Sequence, residues 1–202
     1  MTNRTAVLPG QRVAIRPFDV DDALFLRDTS NDLSFQAAAY PGPLLPRGLV
    51  EFQRRLQAGD RAPLSGAGSA FEFAVARRSS PFDAIGVAGL YQVDWHNRHA
   101  ELGVSIVTPE ERRKGFGIDA NAIMLDYAFG HLGFQRIWGH VKADNEAALR
   151  LCERLGYRVE GTLRAHRLRG TARVDLCVVG ILSEEWPGDF RPDPTGSGHF
   201  SA

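Results

Sequence analysis

Short segments of alternating hydrophobic and polar residues recur along the chain, as expected for strands that bury one face. The first is RVAIR at 12–16, and three more follow one another at 71–77, 84–94 and 99–107. The last two are separated only by a turn, Trp95 to Arg98. This succession predicts an antiparallel meander in the middle of the chain.

Apolar residues at helical spacing predict a long helix after the meander, at Ile118, Ala122, Leu125, Phe129 and Leu132. Shorter helices are predicted at 19–27, 49–56 and 146–155, and further strands at 136–143, 157–166 and 173–182. Helices between strands, with a meander before them, indicate layers on both faces of a sheet. The expected fold is therefore mixed α/β, with a mainly antiparallel sheet of about seven strands and helices on both faces.

Composition narrows the class of protein. The chain has 202 residues, 44% of them hydrophobic, which favours one domain, expected at residues 1–186, with a flexible tail at 187–202. Lysine plus arginine and aspartate plus glutamate each number 24, so no net field attracts nucleic acid or an anionic membrane. Two cysteines, no apolar leader and no stretch of membrane-spanning length predict a cytoplasmic protein.

The segment Arg112-Arg113-Lys114-Gly115-Phe116-Gly117-Ile118 carries the clearest binding chemistry. Its glycines let the backbone approach an anion, and the predicted helix begins beside them, where amides are unpaired and the helix dipole favours negative charge. Amides and preceding cations together predict a pyrophosphate site that needs no metal ion. Taken alone, the pattern also fits a basic helix N-terminus that is exposed to solvent and binds no ligand, in which the glycines only allow the turn.

The same glycines fit a second motif, because Gly115 to Ala120 reads G-x-G-x-x-A, the fingerprint of a nicotinamide dinucleotide fold. That fingerprint should follow a buried strand at once and open a β-α-β unit near the start of a domain. Here the charged segment 108–114 separates Val107 from Gly115, and the meander has already passed. The context disfavours the dinucleotide interpretation.

Several separated motifs carry a family resemblance. The loop R-x-x-G-x-G at 112–117 is followed by a strand, then by ADNEAALRLCERLGY at 143–157 and LSEEW at 182–186. In these motifs the chain resembles the GNAT acyltransferase superfamily, and within it the RimJ/RimL-like ribosomal-protein N-acetyltransferases. The resemblance extends from the first strand through Trp186. It implies acetyl-CoA as co-substrate and direct transfer to a primary amine in a ternary complex, without a covalent enzyme intermediate.

The resemblance also implies where the cofactor binds. Backbone amides of Arg113 to Ile118 would hold the pyrophosphate, after the Arg112 that opens the motif. The strand residues Ser105, Ile106 and Val107 would pair with pantetheine across a splay in the sheet. Asn145 would hydrogen-bond the pantetheine arm, and its position equally fits a helix N-cap, which is compatible with that contact.

Glu101 is the candidate base for the acceptor, because an ammonium group must lose a proton before it attacks. On its predicted strand it shares a face with Gly103 and Ser105, opposite Leu102, Val104 and Ile106. Matching glutamates in similar proteins are proposed bases. A solvated glutamate at the edge of a hairpin is the other interpretation.

Cys152 departs from the family pattern. Many relatives carry a tyrosine there, thought to protonate the departing thiolate. A thiol has an ordinary pKa of about 8.5 against about 10 for tyrosine, so its acidity fits the role, but its sulfur projects far less than a phenol. Cys152 also belongs to an apolar helical stripe with Ala148, Leu151 and Leu155, which favours a buried small hydrophobe.

The acceptor is expected to be either a protein N-terminal α-amine or a small-molecule amine. Nucleic acid, membrane and metal are not expected partners, since the histidine pair His96 and His99 lacks a third ligand nearby. The chain is expected to be a monomer or a homodimer. The missing tyrosine keeps open an acyl-CoA-binding module with impaired catalysis. Residues 31–56 and the loop 59–69 are expected to select the acceptor.

Overall fold

The computed structural model describes residues 8–33, 35, 46–58, 70–169 and 171–188. The loop 59–69 and the predicted tail beyond residue 188 therefore lie outside the described residues. Within the described part, no helix is both long and apolar enough to cross a bilayer.

Eight described strands form one sheet in the order β1-β2-β3-β4-β5-β6-β8-β7. Their bounds are β1 Leu8–Pro9, β2 Val13–Arg16, β3 Phe71–Arg77, β4 Ser80–Asp94, β5 His99–Ile106, β6 Arg136–Lys142, β7 Arg158–Arg169 and β8 Ala172–Leu182. Neighbouring strands are antiparallel except β5 and β6, which are parallel. The mixed, mainly antiparallel sheet is confirmed. The strand beyond the predicted seven is β1, whose two residues pair with β2.

Four α-helices are described: α1 Ala23–Asn31, α2 Leu49–Gln57, α3 Phe116–Asp126 and α4 Glu146–Arg154. A 3-10 turn, Val20–Asp22, leads into α1, and a π turn, Tyr127–His131, continues α3. The π turn was not predicted, because Leu125, Phe129 and Leu132 keep an apolar spacing that suits an α-helix equally well.

One face of the sheet carries the main core. In β2 the alternate residues Val13 and Ile15 are fully buried in it, and α3 adds Met124 and Leu125, also fully buried. Each such side chain contributes about 1.5–3 kcal/mol on leaving water. The apolar stripe predicted for the long helix is thus what packs α3 onto the sheet.

The opposite face of β2 is tied to the helical layer by an ion pair. Arg16 and Asp22 are both buried, and the Arg16 guanidinium donates to the two Asp22 carboxylate oxygens at 2.6 and 2.9 Å. Asp22 immediately precedes α1, which packs with α2 in a second small cluster around Leu26 and Phe52. Helices therefore lie on both faces of the sheet, as predicted.

The sheet opens into a fork between its two parallel strands. The β5–β6 ladder joins His99 to Arg136, Ala100 to Ile137 and Glu101 to Trp138, and it ends there, although β5 runs on to Ile106 and β6 to Lys142. A Cβ on Gly139 would lie 3.2 Å from the Leu102 carbonyl oxygen, so glycine permits the close approach where the strands part. Glu101 thus stands at the apex of the fork.

Candidate functional site

The loop 112–118 leaves a row of backbone amides unpaired. Arg113 and Gly115 adopt left-handed φ angles of 62° and 83°, which turn successive amides toward a common side, as in anion-binding concavities. The amides of residues 113–118 donate to no acceptor within the described part of the chain. They meet the N-terminus of α3, whose dipole adds partial positive charge. The geometry is that of an anion site.

The Arg112 side chain binds the end of β5. Its guanidinium donates to the carbonyl oxygens of Ile106 at 3.1 Å and Val107 at 2.8 Å. The Val107 amide donates to the Ile85 carbonyl at 2.9 Å. Arg112 therefore ties the loop to the end of β5, and three of the backbone groups expected to pair with pantetheine already have partners inside the protein.

Glu111 is a buried carboxylate that binds two cationic side chains beside the loop. Glu111 is 8% exposed, and its two oxygens accept from Arg77 at 2.7 Å and from the Lys114 ammonium at 3.1 Å. Because a buried charge must be paired to be tolerated, Glu111 holds both cations in place. Lys114 is thus fixed beside the free amides.

Arg12 and Val13, near the start of the chain, contact the loop and the first turn of α3. Neither residue was predicted as part of the site. The Arg12 guanidinium donates to the Lys114 carbonyl at 3.2 Å, and its other nitrogens have no partner among the residues described. The Asp119 carboxylate accepts from the amides of Arg12 at 2.7 Å and Val13 at 2.9 Å. No spacing in the sequence signals a contact across more than a hundred residues.

Asn145 is the N-cap of α4. Its side-chain oxygen accepts from the Ala148 amide at 3.2 Å, and this leaves the side-chain NH₂ available as a donor. Leu151, on the same helix, lies beside Gly117 of the loop, where a Cβ would be 3.6 Å from it. The cap prediction is confirmed, and α4 borders the anion site; the contact with pantetheine stays a prediction.

Cys152 is a half-buried free thiol. Burial raises the pKa of this thiol to about 11, and burial also raises the pKa of Tyr157 beside it. Both residues line a groove of about 470 Å³ beneath α4, against β7 and β8. This groove includes neither Glu101 nor any residue of the loop. A thiol held protonated this firmly is a weaker acid than an ordinary thiol.

Glu101 is bonded through both carboxylate oxygens. One lies 2.9 Å from the His140 ring nitrogen Nδ1, and the other accepts from the Gln92 side-chain amide at 2.9 Å. Glu101 pairs with Trp138 across the fork, and His140 follows two residues on, so these side chains share one face of the sheet. His140 was missed because nothing in the sequence marks β6 as a neighbour of β5. Gln92 was missed because the predicted hairpin does not reveal the register shift between Tyr91 and Asp94.

Aromatic side chains flank this cluster. The Tyr91 ring lies across Gly89, where a Cβ would approach it to 2.7 Å, and its hydroxyl donates to Glu72 at 2.9 Å. The Trp138 and His140 rings meet edge to face with centroids 5.1 Å apart. The face at the fork therefore combines carboxylates with aromatic rings, the two groups that attract organic cations.

Within the described ranges, no group of three or more His, Cys, Asp or Glu residues is placed to hold a metal ion.

Comparison with known proteins gives a family match and two kinds of relative. The family model described as acetyltransferase (GNAT) domain matches residues 12–158. The uncharacterized N-acetyltransferase YoaA of Bacillus subtilis is 34% identical over 100 residues, which is 50% of this chain and 56% of that protein. Spermidine N(1)-acetyltransferase of Vibrio cholerae is 35% identical over 79 residues, 39% and 45% of the two chains. The chain spans about half the length of the curated relatives it matches.

Among solved structures, a similar one is spermidine N-acetyltransferase from Vibrio cholerae in complex with CoA and spermine. It has a TM-score of 0.72 and 23% sequence identity, over 86% of this chain and 96% of that chain. At this identity the likeness concerns the fold. The narrower RimJ/RimL-like grouping stays a prediction.

Proposed function

Because this chain belongs to the GNAT acetyltransferase family, we propose that it transfers an acetyl group from acetyl-CoA to an amine. The observation that carries the proposal is the fork between β5 and β6 next to the free amides of residues 113–118. From Ile106 to Glu101 the strand covers five residues, roughly 16 Å. That length is comparable to an extended pantetheine arm, so a cofactor with its pyrophosphate on the loop brings its thioester to the apex of the fork.

In this proposal the cofactor is held by charge and backbone. The amides of Arg113 to Ile118 and the dipole of α3 bind the pyrophosphate, with Lys114 and Arg12 as counter-charges. The pantetheine arm runs between the parted strands, near Ser105 and Ile106, and the Asn145 NH₂ donates to it. No metal takes part, because the protein groups supply the positive charge.

The acceptor is proposed to be a cationic small-molecule amine that approaches the face carrying Glu101, Glu72 and Trp138. Carboxylates and aromatic rings together favour a protonated amine over a neutral ligand. The relatives named for spermidine support this class. A protein N-terminal α-amine is the second candidate, and it would need space along the segments 31–56 and 59–69, which the sequence pattern predicts to select the acceptor.

The test is a panel of amines with acetyl-CoA, followed by release of the CoA thiol and by mass spectrometry of the products. The panel contains spermidine, spermine, an aminoglycoside and a short peptide with a free N-terminus. We expect CoA release above the amine-free control with at least one polyamine. Release with the peptide alone would assign the chain to the N-terminal class.

A catalytically impaired acyl-CoA-binding module is the alternative, and the half-buried thiol at Cys152, in place of a tyrosine, is the observation that favours it. Calorimetric titration distinguishes the two. Tight acetyl-CoA binding with no product from any amine supports the module. Binding of NADH in preference to acetyl-CoA would overturn both interpretations and return the loop to the dinucleotide class.

A further inference from the structure

The carboxylate expected to act as a base is bonded through both of its oxygens. Both Glu101 oxygens are bonded at 2.9 Å, one to His140 and one to Gln92. Both oxygens therefore already serve as hydrogen-bond partners of protein groups before any substrate binds. What it does instead is fix the ring that it touches, as carboxylates orient histidines in other sites.

His140 is the member of this cluster with an available nitrogen. Its Nδ1 meets Glu101, and its Nε2 has no partner within the described part of the chain. The side chain is 23% exposed, so the free nitrogen can reach both a ligand and water. Around it stand Glu101 on β5, Trp138 and Lys142 on β6, and Val178 opposite on β8; the charged groups among these are Glu101 and Lys142.

The backbone at Gln92 is strained in a way that serves the cluster. Its φ is 47°, in the left-handed region, at the point where the β4–β5 register shifts between Tyr91 and Asp94. Non-glycine residues adopt this region rarely. The irregularity directs the Gln92 amide onto Glu101, and strain of this kind is characteristic of functional sites.

We propose that His140 is the catalytic proton acceptor of the transfer, positioned by Glu101 and Gln92. This inference rests on the proposed function, because it places the acetyl thioester at the apex of the fork. The ammonium gives its first proton to Nε2, and the freed nitrogen lone pair attacks the thioester carbonyl. As the C–N bond forms and the C–S bond breaks, a second N–H proton neutralises the CoA thiolate, and the imidazolium returns the first proton to water.

The experiment compares His140→Gln with the wild type over pH 5.5 to 9, using the amine found active in the panel. Glutamine keeps a polar side chain on β6 but does not titrate. We expect kcat to fall by about 10²-fold, the usual contribution of a general base, with KM for acetyl-CoA within about threefold. The rise of kcat with pH on the acidic side, present in the wild type, should be absent.

Three further variants make the result decisive. His131→Gln, on the π turn after α3, should keep the wild-type rate and profile. His140→Ala should recover activity when free imidazole is added, which a structural role does not explain. Glu101→Gln should reduce kcat yet keep the acidic rise; loss of the rise in Glu101→Gln with its retention in His140→Gln would overturn the proposal and make Glu101 the base. If no amine reacts with the wild type, the proposed function fails first.

Discussion

Cys152 shows how one residue limits the chemistry of the site. The thiol of free CoA has a pKa near that of an ordinary thiol, about 8.5, whereas burial raises the pKa of Cys152 to about 11. A proton would move from the weaker acid to the thiolate of the stronger one, which is unfavourable. We therefore exclude Cys152 as the proton source and infer that the CoA thiolate takes the second N–H proton of the acceptor amine.

The raised pKa of Cys152 predicts slow alkylation. At pH 8 a thiol with a pKa of about 11 holds roughly two hundredfold less thiolate than one with its ordinary value of about 8.5, and the thiolate is the reactive form. Modification by iodoacetamide, followed on the Cys152 peptide by mass spectrometry, should accelerate about tenfold per pH unit up to about pH 10.5. The same peptide in urea-unfolded protein should react fast near pH 8.5. Equal rates in folded and unfolded protein would contradict the assigned burial.

Single residues also show what a sequence can reveal about a site. Asn145 was predicted as a cap from its place before a helix, a local rule that the fold does not alter. Arg112 was predicted as a phosphate ligand from the same kind of local pattern, yet its guanidinium bonds Ile106 and Val107. The partner of a long side chain depends on the tertiary structure, and sequence spacing does not reveal it.

At the scale of elements, the Arg16–Asp22 pair joins β2 to the start of α1. Arg16 is 2% and Asp22 3% exposed, and the guanidinium also donates to the carbonyls of Pro81 and Phe82. The pair thus connects β2, the entry to α1 and the beginning of β4. A polar group this buried stabilises the fold only while all its partners remain.

Asp22→Ala should lower the free energy of unfolding by about 3–5 kcal/mol, because it leaves a buried guanidinium without a counter-charge. Urea denaturation at pH 7 measures this. The matched control is Asp28→Ala, which removes an exposed carboxylate from its pair with Arg27 and should change stability by less than about 1 kcal/mol. Comparable losses in the two variants would show that the buried pair does not hold α1 to the sheet.

Elements with strong periodicity were predicted well, and their ends less so. Strand β3 was predicted at its observed bounds, since seven alternating residues mark it clearly. Helix α1 runs to Asn31, beyond the predicted Arg27, although Thr29 and Ser30 are weak helix formers. Both are buried, so packing rather than propensity decides where this helix ends.

At the scale of the whole molecule, the site is assembled from distant parts of the chain. The loop 112–118 is local and was visible in the sequence. The fork needs β5 and β6 side by side, and the Glu101–His140 pair needs their register as well. Sequence patterns predict that strands exist and which face is buried, but pairing order and register follow from tertiary packing. His140 therefore becomes visible only in the folded chain.

Arg12 offers a test of this long-range assembly. Arg12→Ala should weaken acetyl-CoA binding about tenfold, because a charge-assisted contact to phosphate contributes about 1.5 kcal/mol or more. Titration calorimetry measures the Kd, and Arg27→Ala, which removes an exposed arginine of α1, serves as the matched control. A Kd unchanged by Arg12→Ala would remove this residue from the proposed cofactor site.

The Asp119 carboxylate accepts hydrogen bonds from the amides of Arg12 and Val13, and it thereby couples the loop 112–118 to the start of the chain. Asp119 lies in the first turn of α3. A ligand that orders the loop therefore also favours the hydrogen bonds between Asp119 and the amides of Arg12 and Val13. A bound anion would then slow hydrogen exchange at the amides of residues 12 and 13, far from any contact with the acceptor. Cutting away the first strands should, by the same reciprocity, lower the affinity for the anion. Hydrogen exchange at the start of the chain would therefore reveal cofactor binding as directly as exchange in the loop itself.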